Sequence, residues 1–168
     1  MLKNFEIKCR IGNLSAIKEI LASDRNYKYS FEKQRDIYYK VKSGRLKLRI
    51  INEKISDLIY YNRKENNRER VSNFVISSTF NFKELNFIMT EQFEVMVIVN
   101  KKREIFVKDN IRIHLDTVNK LGKFLEIEIM FKDLKKAKKL MEELKDLFNL
   151  NPKDFIKSSY SDLLINKN

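Results

Sequence analysis

The sequence predicts an α+β protein in which eight antiparallel strands close into a barrel and helices pack on its outside. Five stretches place a charged residue at every second position with apolar residues between them. A period of two is typical of strands with two unlike faces. Short turns separate most of these stretches, which favours hairpin-connected antiparallel strands. Segments with helical periodicity would cover the apolar outer face of such a barrel.

The first half of the chain is predicted to contain four strands and two helices. Asn13 is a suitable N-cap for the first helix. Residues 26–41 are rich in Tyr and Phe and precede a Ser-Gly turn, after which the next strand runs back. The predicted elements are a strand over 4–11, a helix over 13–23, the segment 26–41, strands over 45–52, 57–64 and 68–77, and a helix over 81–92.

The second half is predicted to contain three strands and a long amphipathic helix. Leu134, Ala137, Leu140 and Met141 recur at helical spacing with lysines opposite them. The tail after Pro152 is expected to form a short closing element. The predicted elements are a strand from 94 to 107, strands over 111–118 and 124–131, and a helix over 133–148.

Length and composition limit the function classes. The 168 residues are expected to form one domain, 1–168. The formal charge of +12 indicates an anionic partner. Cys9 is the only cysteine, which excludes an internal disulfide framework. Neither a membrane span nor a signal peptide is found, so we expect a cytoplasmic protein without a membrane partner. The oligomeric state stays open, and a homodimer is compatible with the sequence.

The charged strand face would line the lumen of the closed barrel. Such a lumen would bind a polyphosphate, because several convergent cations compensate its charge. Arginine suits bidentate phosphate contacts, and lysine supplies a point charge. The alternative is an open sheet whose charges face solvent. The cations predicted to point inward and bind phosphate are Lys8, Arg10, Lys47, Arg49, Arg63, Arg70, Lys101, Arg103 and Arg112.

Carboxylates of the first and last strands would meet where the barrel closes. Glu6, Glu126 and Glu128 are inward positions of these strands, and such oxygen ligands suit Mg²⁺ or Mn²⁺. Asp116 is a weaker candidate ligand. These carboxylates could instead neutralise neighbouring arginines. Lys8, Glu6 and Glu128 are the expected catalytic residues.

Other polar and aromatic residues have more than one interpretation. His114, the only histidine, could be an acid or base, a phosphate donor, or a structural residue. The tyrosines at 38, 39, 60 and 61 could pack or cap the barrel mouth, or stack on a base. The sequence contains no Gly-rich phosphate loop, no zinc-type Cys/His cluster and no nucleophile–histidine motif.

Motifs spread along the chain resemble those of the CYTH superfamily, the triphosphate tunnel metalloenzymes that include class IV adenylyl cyclases and thiamine triphosphatases. Two stretches resemble the class IV cyclase branch most, GRLKLR at 44–49 and LGKFLEIE at 121–128. The other matching stretches are EIK at 6–8, LIYYNR at 58–63, RERVS at 68–72, KKREIF at 101–106, IHLD at 113–116 and SYSDLL at 159–164.

The resemblance implies a metal-dependent enzyme that uses Mg²⁺ or Mn²⁺ and acts on ATP, tripolyphosphate or thiamine triphosphate. The product would be cyclic AMP and pyrophosphate from a cyclase, or phosphate from a triphosphatase. One position departs from the family signature Glu-x-Glu-x-Lys, because Asn4 stands where the first carboxylate is expected. Asparagine offers a carbonyl oxygen but brings no charge to a metal.

Two non-enzymatic hypotheses remain beside the enzyme. Asn4 and the basic excess favour a binder of nucleotides, polyphosphate or RNA ends. The basic excess also fits nucleic-acid binding through the surface, which predicts a steep salt dependence and an affinity that grows with strand length.

Overall fold

The computed structural model describes the backbone of residues 2–63 and 70–167 and the side chains of residues 4–62 and 74–167. Within these residues, eight strands pair antiparallel into a closed barrel. The strands are β1 (Leu2–Arg10), β2 (Lys28–Tyr39), β3 (Arg45–Ile51), β4 (Ile55–Arg63), β5 (Arg70–Thr79), β6 (Val95–Lys108), β7 (Ile111–Val118) and β8 (Gly122–Met130). Their order around the barrel is β1-β5-β4-β3-β2-β6-β7-β8, which confirms the predicted fold class.

Four α-helices accompany the strands in the described part of the chain: α1 (Ser15–Ser23), α2 (Phe82–Gln92), α3 (Leu134–Leu147) and α4 (Tyr160–Ile165). A 3₁₀ turn over Pro152–Asp154 precedes α4. The N-cap of α1 is Leu14, one residue after the expected Asn13, although the Asn13 side chain still accepts a hydrogen bond from the Ser15 N–H at 2.9 Å. The aromatic segment 26–41 is the strand β2.

The apolar outer face of the barrel is buried under the three longer helices. Ile113 and Ile127 are fully buried in a cluster that includes residues of α1 and α3. Leu48 packs with Met89 of α2 in a second cluster. All three were predicted to face outward under helices. Cys9 is a buried free thiol on the same outer face, and burial raises the pKa of this thiol to about 12.

The two ends of the barrel differ. At one end, Tyr160 and Leu164 of α4 pack in a cluster with Leu121 and Phe124, so the predicted tail element does close the barrel there. At the other end, Arg112 and Ile76 are exposed although both line the lumen. We call these the α4 end and the open end. No helix among the described residues is both long and apolar enough to cross a membrane.

Candidate functional site

The lumen contains a cavity of about 150 Å³ whose walls are mostly charged. Arg49, Arg103, Arg112 and Glu128, which were predicted to face one lumen, all line it. The alternative of an open sheet with solvated charges is therefore wrong. The cations of the cavity wall are Lys8, Lys47, Arg49, Lys101, Arg103 and Arg112.

Asp36 of β2 gathers three of these cations. Its carboxylate accepts hydrogen bonds from Lys47 Nζ at 3.0 Å, Lys101 Nζ at 2.8 Å, and Arg49 Nε and a terminal Arg49 nitrogen at 2.8 and 2.9 Å. Burial alone would raise the pKa of this carboxyl, but Arg49, Lys101 and Lys47 hold it well below its usual range. The same crowding lowers the pKa of Lys101 to about 7. Burial and the neighbouring cations Arg49, Arg103 and Lys47 destabilise its charged form more than Asp36 stabilises it.

Arg103 of β6 forms the second centre of the ion-pair network. Its guanidinium donates to both oxygens of Asp116 at 2.7 and 2.6 Å and to Glu126 at 2.7 Å. The Tyr160 hydroxyl also donates to Asp116, at 2.8 Å. Lys8 lies 3.1 Å from the other oxygen of Glu126. Asp116 is fully buried, accepts hydrogen bonds on both oxygens and is not part of the cavity wall. This arrangement suits orienting Arg103 better than holding a metal.

Carboxylates converge where β1 pairs with β8, as the sequence predicted. Glu6 is directly opposite Glu128 in the ladder, and Lys8 is opposite Glu126. Burial, reinforced by the neighbouring carboxylates Glu126 and Glu6, raises the pKa of Glu128 to about 7. Two or three negative charges crowded in this way are stabilised by a cation, so the donor set fits a divalent metal with oxygen ligands.

His114 lies beside this carboxylate cluster. Ligand atoms of His114, Glu126 and Glu128 all lie within 4.8 Å of one another. The histidine Nδ1 is 4.0 Å from Glu126 and 3.9 Å from Glu128, and it has no hydrogen-bond partner among the described residues. Burial, helped by Arg103, places the pKa of His114 well below its usual range. A neutral imidazole with an available nitrogen can complete a metal site.

The lumen is less cationic than the sequence predicted. The sequence expectation considered Glu6, Glu126 and Glu128 as partners of the arginines but did not include Asp36, which pairs with Lys47, Arg49 and Lys101. Arg112 is the exception, since it forms no ion pair with any described residue and is exposed at the open end. An incoming polyanion would therefore meet Arg112 first and would compete with the carboxylates for the deeper cations.

One predicted phosphate ligand, Arg10, lies away from the described cavity wall, and two others fall outside the described side chains. Arg10 donates to the Leu121 carbonyl at 2.7 Å and lies over the Phe124 ring, near the α4 end. The side chains of Arg63 and Arg70 lie outside the described residues. The predicted roles of these three arginines in phosphate binding stay predictions.

Sequence reasoning missed Asp36, Ser159 and Tyr160 as wall residues. The sequence pattern could have predicted Asp36, because Gln34, Asp36 and Tyr38 alternate with outward residues as in the other strands. Ser159 and Tyr160 belong to the SYSDLL stretch that resembles the family, but no alternation pattern predicted them in the lumen, because the tail reaches it only through tertiary packing.

Three of the four tyrosines are buried, and two of them, Tyr38 and Tyr61, line the cavity, so packing and stacking on a base both stay predictions. Tyr38, Tyr39 and Tyr61 are buried and Tyr60 is partly exposed. Lys47 Nζ lies 5.3 Å from the Tyr38 ring centre and 5.9 Å from that of Tyr61. These contacts place cation–π attraction beside the ion pairs of Asp36.

Comparison with known proteins gives one family and several structures with the same fold. The CYTH domain family model matches residues 2–160. A protein of Methanocaldococcus jannaschii named "Putative adenylate cyclase" is 34% identical over 68 residues, which is 39% of this chain and 39% of that protein. The matched segment thus spans well under two thirds of that relative.

Two solved structures show the same barrel. A conserved hypothetical protein of Pyrococcus furiosus superposes with a TM-score of 0.84 at 21% identity, covering 95% of this chain and 99% of the other. A "Putative adenylyl cyclase" of Hippeastrum, which is described as having a dominant triphosphatase activity, superposes with a TM-score of 0.70 at 11% identity, covering 99% and 96%.

Proposed function

The chain belongs to the CYTH domain family, and from this premise we propose that it is a metal-dependent triphosphatase that cleaves a P–O–P bond inside the barrel. The observation that carries the proposal is a cavity inside the barrel whose wall brings together six cations and a cluster of carboxylates. Cations of this kind bind phosphoryl oxygens, and the carboxylates suit Mg²⁺ or Mn²⁺.

The residues have separate roles in this proposal. Arg49 and Lys47 would bind the phosphate chain from β3, and Arg103 and Lys101 from β6, each held in position by Asp36 or Asp116. Glu6, Glu126 and Glu128 would hold the metal, with His114 beside them. The bound metal would supply charge neutralisation on the phosphoryl oxygens. Positioning and charge neutralisation account for most catalysis of phosphoryl transfer.

Hydrolysis is favoured over cyclisation by the size of the cavity. About 150 Å³ is well below the roughly 300–1,000 Å³ of pockets that enclose a whole drug-sized ligand. The cavity therefore suits the phosphate chain alone. Class IV adenylyl cyclase activity is the second candidate, because the 34% identical relative is named a "Putative adenylate cyclase". This activity would require the ribose 3′-hydroxyl to reach the α-phosphorus.

A non-catalytic function of the same cavity is the third candidate. Asn4 lines the cavity where a carboxylate is expected from the family signature. The site would then bind nucleotides, polyphosphate or RNA ends without turnover. Substituting Asn4→Glu would be the informative variant in that case, since it restores the missing charge.

A substrate panel tests the proposal. ATP, GTP, thiamine triphosphate and tripolyphosphate are each incubated with Mg²⁺ or Mn²⁺, and phosphate, pyrophosphate and cyclic nucleotide are measured separately. We expect phosphate release that stops with a chelator. Glu128→Gln should lower turnover by at least a hundredfold, while the matched control Glu143→Gln on the exposed side of α3 should not. Cyclic AMP with pyrophosphate would support the cyclase, and binding without any product would support the third candidate.

A further inference from the structure

Five side chains of the lumen contact one another in a closed circuit. Lys8 of β1 lies 3.1 Å from one oxygen of Glu126, and Arg103 of β6 donates to the other oxygen at 2.7 Å. The Tyr160 hydroxyl of α4 donates to Asp116 at 2.8 Å, and Asp116 accepts from Arg103 at 2.6 Å. The Tyr160 ring centre lies 4.3 Å from Lys8 Nζ, which completes the circuit. Lys8 and Arg103 are therefore each held twice, once by Glu126 and once by Tyr160, directly or through Asp116.

The chemistry of Tyr160 goes beyond what packing requires. Tyr160 is 5% exposed, lines the cavity and packs on Phe124 with ring centroids 4.9 Å apart, which another apolar side chain could also do. A buried hydroxyl costs free energy unless it is hydrogen-bonded, and this hydroxyl bonds a carboxylate that orients an arginine. Burial, reinforced by Asp116 and Glu126, raises the pKa of Tyr160 well above its usual range. The hydroxyl therefore keeps its proton and stays a donor.

The two sets of contacts respond differently to a bound metal. Glu126 belongs to the group of residues that could hold a divalent ion. A cation bound there draws on the negative charge that otherwise attracts Lys8 and Arg103. The hydroxyl and ring of Tyr160 are not part of that group, and Asp116 is not part of the cavity wall. The contacts through Tyr160 therefore persist when Glu126 binds the metal.

We infer that Tyr160 is a positioning residue, which keeps Lys8 and Arg103 in place for the phosphate chain while Glu126 binds the metal. The inference rests on the proposed function and adds a residue to which that proposal gives no role. Tyr160 acts on Lys8 through the face of its ring and on Arg103 through Asp116. Cations that are already in position stabilise phosphoryl oxygens without reorganisation during the reaction.

The contrary explanation is that Tyr160 only packs α4 against the barrel. It accounts for the apolar contacts of the ring with Phe124 and Leu164. It does not account for the hydrogen bond to Asp116 or for Lys8 over the ring. A packing defect would weaken ligand binding equally with and without metal, whereas loss of the positioning contacts matters most when Glu126 binds a metal.

Two substitutions separate the contacts of Tyr160, and two controls match them outside the lumen. Tyr160→Phe removes only the hydroxyl, and Tyr160→Leu also removes the ring. The control Tyr39→Phe removes the hydroxyl of a buried ring that bonds Asn86 at 3.4 Å under α2. The control Tyr27→Leu removes a ring whose centre lies 5.5 Å from Lys108 Nζ.

The ligand for the measurement is a tripolyphosphate analogue in which methylene groups replace both bridging oxygens, so that it is not hydrolysed. Calorimetry gives its dissociation constant with saturating Mg²⁺ and, separately, with a chelator. Thermal unfolding of each variant shows whether it is folded. If Tyr160→Leu does not fold, Tyr160→Phe decides the result.

We expect Tyr160→Phe to weaken binding of the analogue about tenfold with Mg²⁺, the effect of losing one hydrogen bond to a charged group. With the chelator the loss should be less than threefold, because Glu126 then still holds both cations. Tyr160→Leu should weaken binding further with Mg²⁺, since the contact with Lys8 is also lost. The two controls should change the dissociation constant less than twofold in either condition.

A double-mutant cycle gives a readout that needs no metal. In a Glu126→Gln background the charge that holds Lys8 and Arg103 is already absent. Tyr160→Phe should then weaken binding about tenfold even with the chelator, so that the two substitutions together cost more than the sum of their separate effects.

Three results would overturn the inference while leaving the proposed function standing. These are equal losses with Mg²⁺ and with the chelator, no loss in either condition, and additive effects of Glu126→Gln and Tyr160→Phe. Absence of binding by the wild type with Mg²⁺ would overturn both. Binding with the expected dependence on Tyr160, but without phosphate release from any triphosphate, would overturn only the proposed hydrolysis.

Discussion

Glu128 shows how the closed barrel changes the chemistry of a single residue. In an isolated strand it would be an ordinary carboxylate, but here it is opposite Glu6 and close to Glu126. Burial and these two carboxylates raise its pKa from 4.5 to about 7. In the absence of metal, the ionised form of Glu128 therefore costs stability.

Glu128→Gln is expected to stabilise the metal-free protein at neutral and alkaline pH. The pKa of Glu128 is higher in the folded than in the unfolded state. Its contribution to the stability of the wild type is therefore fully present below pH 4.5 and is lost as pH rises to about 7. The free energy of unfolding of the variant minus that of the wild type should grow by roughly 3 kcal/mol over this window. Urea unfolding with a chelator, at pH values from 4.5 to 8, measures the difference.

The wild type with saturating Mg²⁺ or Mn²⁺ is the companion measurement, since a bound cation should remove much of the cost of ionisation. If the free energies of unfolding of the variant and the wild type change with pH in the same way without metal, burial and the neighbouring carboxylates do not raise the pKa of Glu128.

At the scale of the element, α4 is attached to the barrel by one connected group of polar contacts. Ser159 and Asp162 form a capping box at its start. Arg45 of β3 donates to Asp162 at 2.8 and 3.1 Å and to the Ser159 hydroxyl at 2.9 Å. The helix in turn positions Tyr160, whose hydroxyl holds Asp116 against Arg103. A six-residue helix has little stability of its own, so these contacts decide whether it forms.

Ser159→Ala is expected to lower the free energy of unfolding by about 1 kcal/mol, the usual cost of losing an N-cap hydroxyl. The loss comes from the unmade bonds to the Asp162 N–H and to Arg45. Thermal unfolding measures it, with Ser158→Ala as the control on the preceding residue. Equal effects of the two substitutions would mean that the capping box does not stabilise α4.

At the scale of the whole molecule, a basic protein has folded its lumen charges into a largely paired network. The formal charge is +12, yet Asp36, Asp116 and Glu126 pair with five of the six cavity cations. Buried pairs are screened by salt much less than surface charges are. Binding inside the barrel should therefore differ from binding on the surface in its response to salt.

Tripolyphosphate is expected to bind at one molecule per chain and to raise the melting temperature. At a hundred times its dissociation constant it should stabilise the native state by about 2.7 kcal/mol, or roughly 5–10 °C for a chain of this size. Arg49→Ala should reduce the shift, whereas Lys102→Ala, whose side chain is exposed on the outer face between Lys101 and Arg103, should not. Differential scanning fluorimetry and calorimetry provide the two measurements.

Nucleic-acid binding through the surface makes the opposite prediction. Affinity would then grow with the length of the anion and fall steeply with salt, and Lys102→Ala would matter as much as Arg49→Ala.

Local pattern was sufficient to predict most of the fold. Alternation along a strand depends only on backbone geometry, so it correctly separated Leu48, Ile113 and Ile127 from Arg49, Arg112 and Glu128. Helical periodicity similarly located α3, which begins one residue after the predicted start. The pairing of β1 with β8 followed from closure of the barrel.

The sequence by itself determined on which face of its strand each residue lies, because the direction of each side chain is set within its own strand. Only the tertiary structure decided which of them are partners. Asp36 meets cations that are 11, 13 and 65 residues away, and Tyr160 reaches Asp116 across 44 residues. Such distances are fixed by the register and closure of eight strands. The burial that shifts the pKa of Glu128 and Lys101 likewise exists only once the barrel has closed.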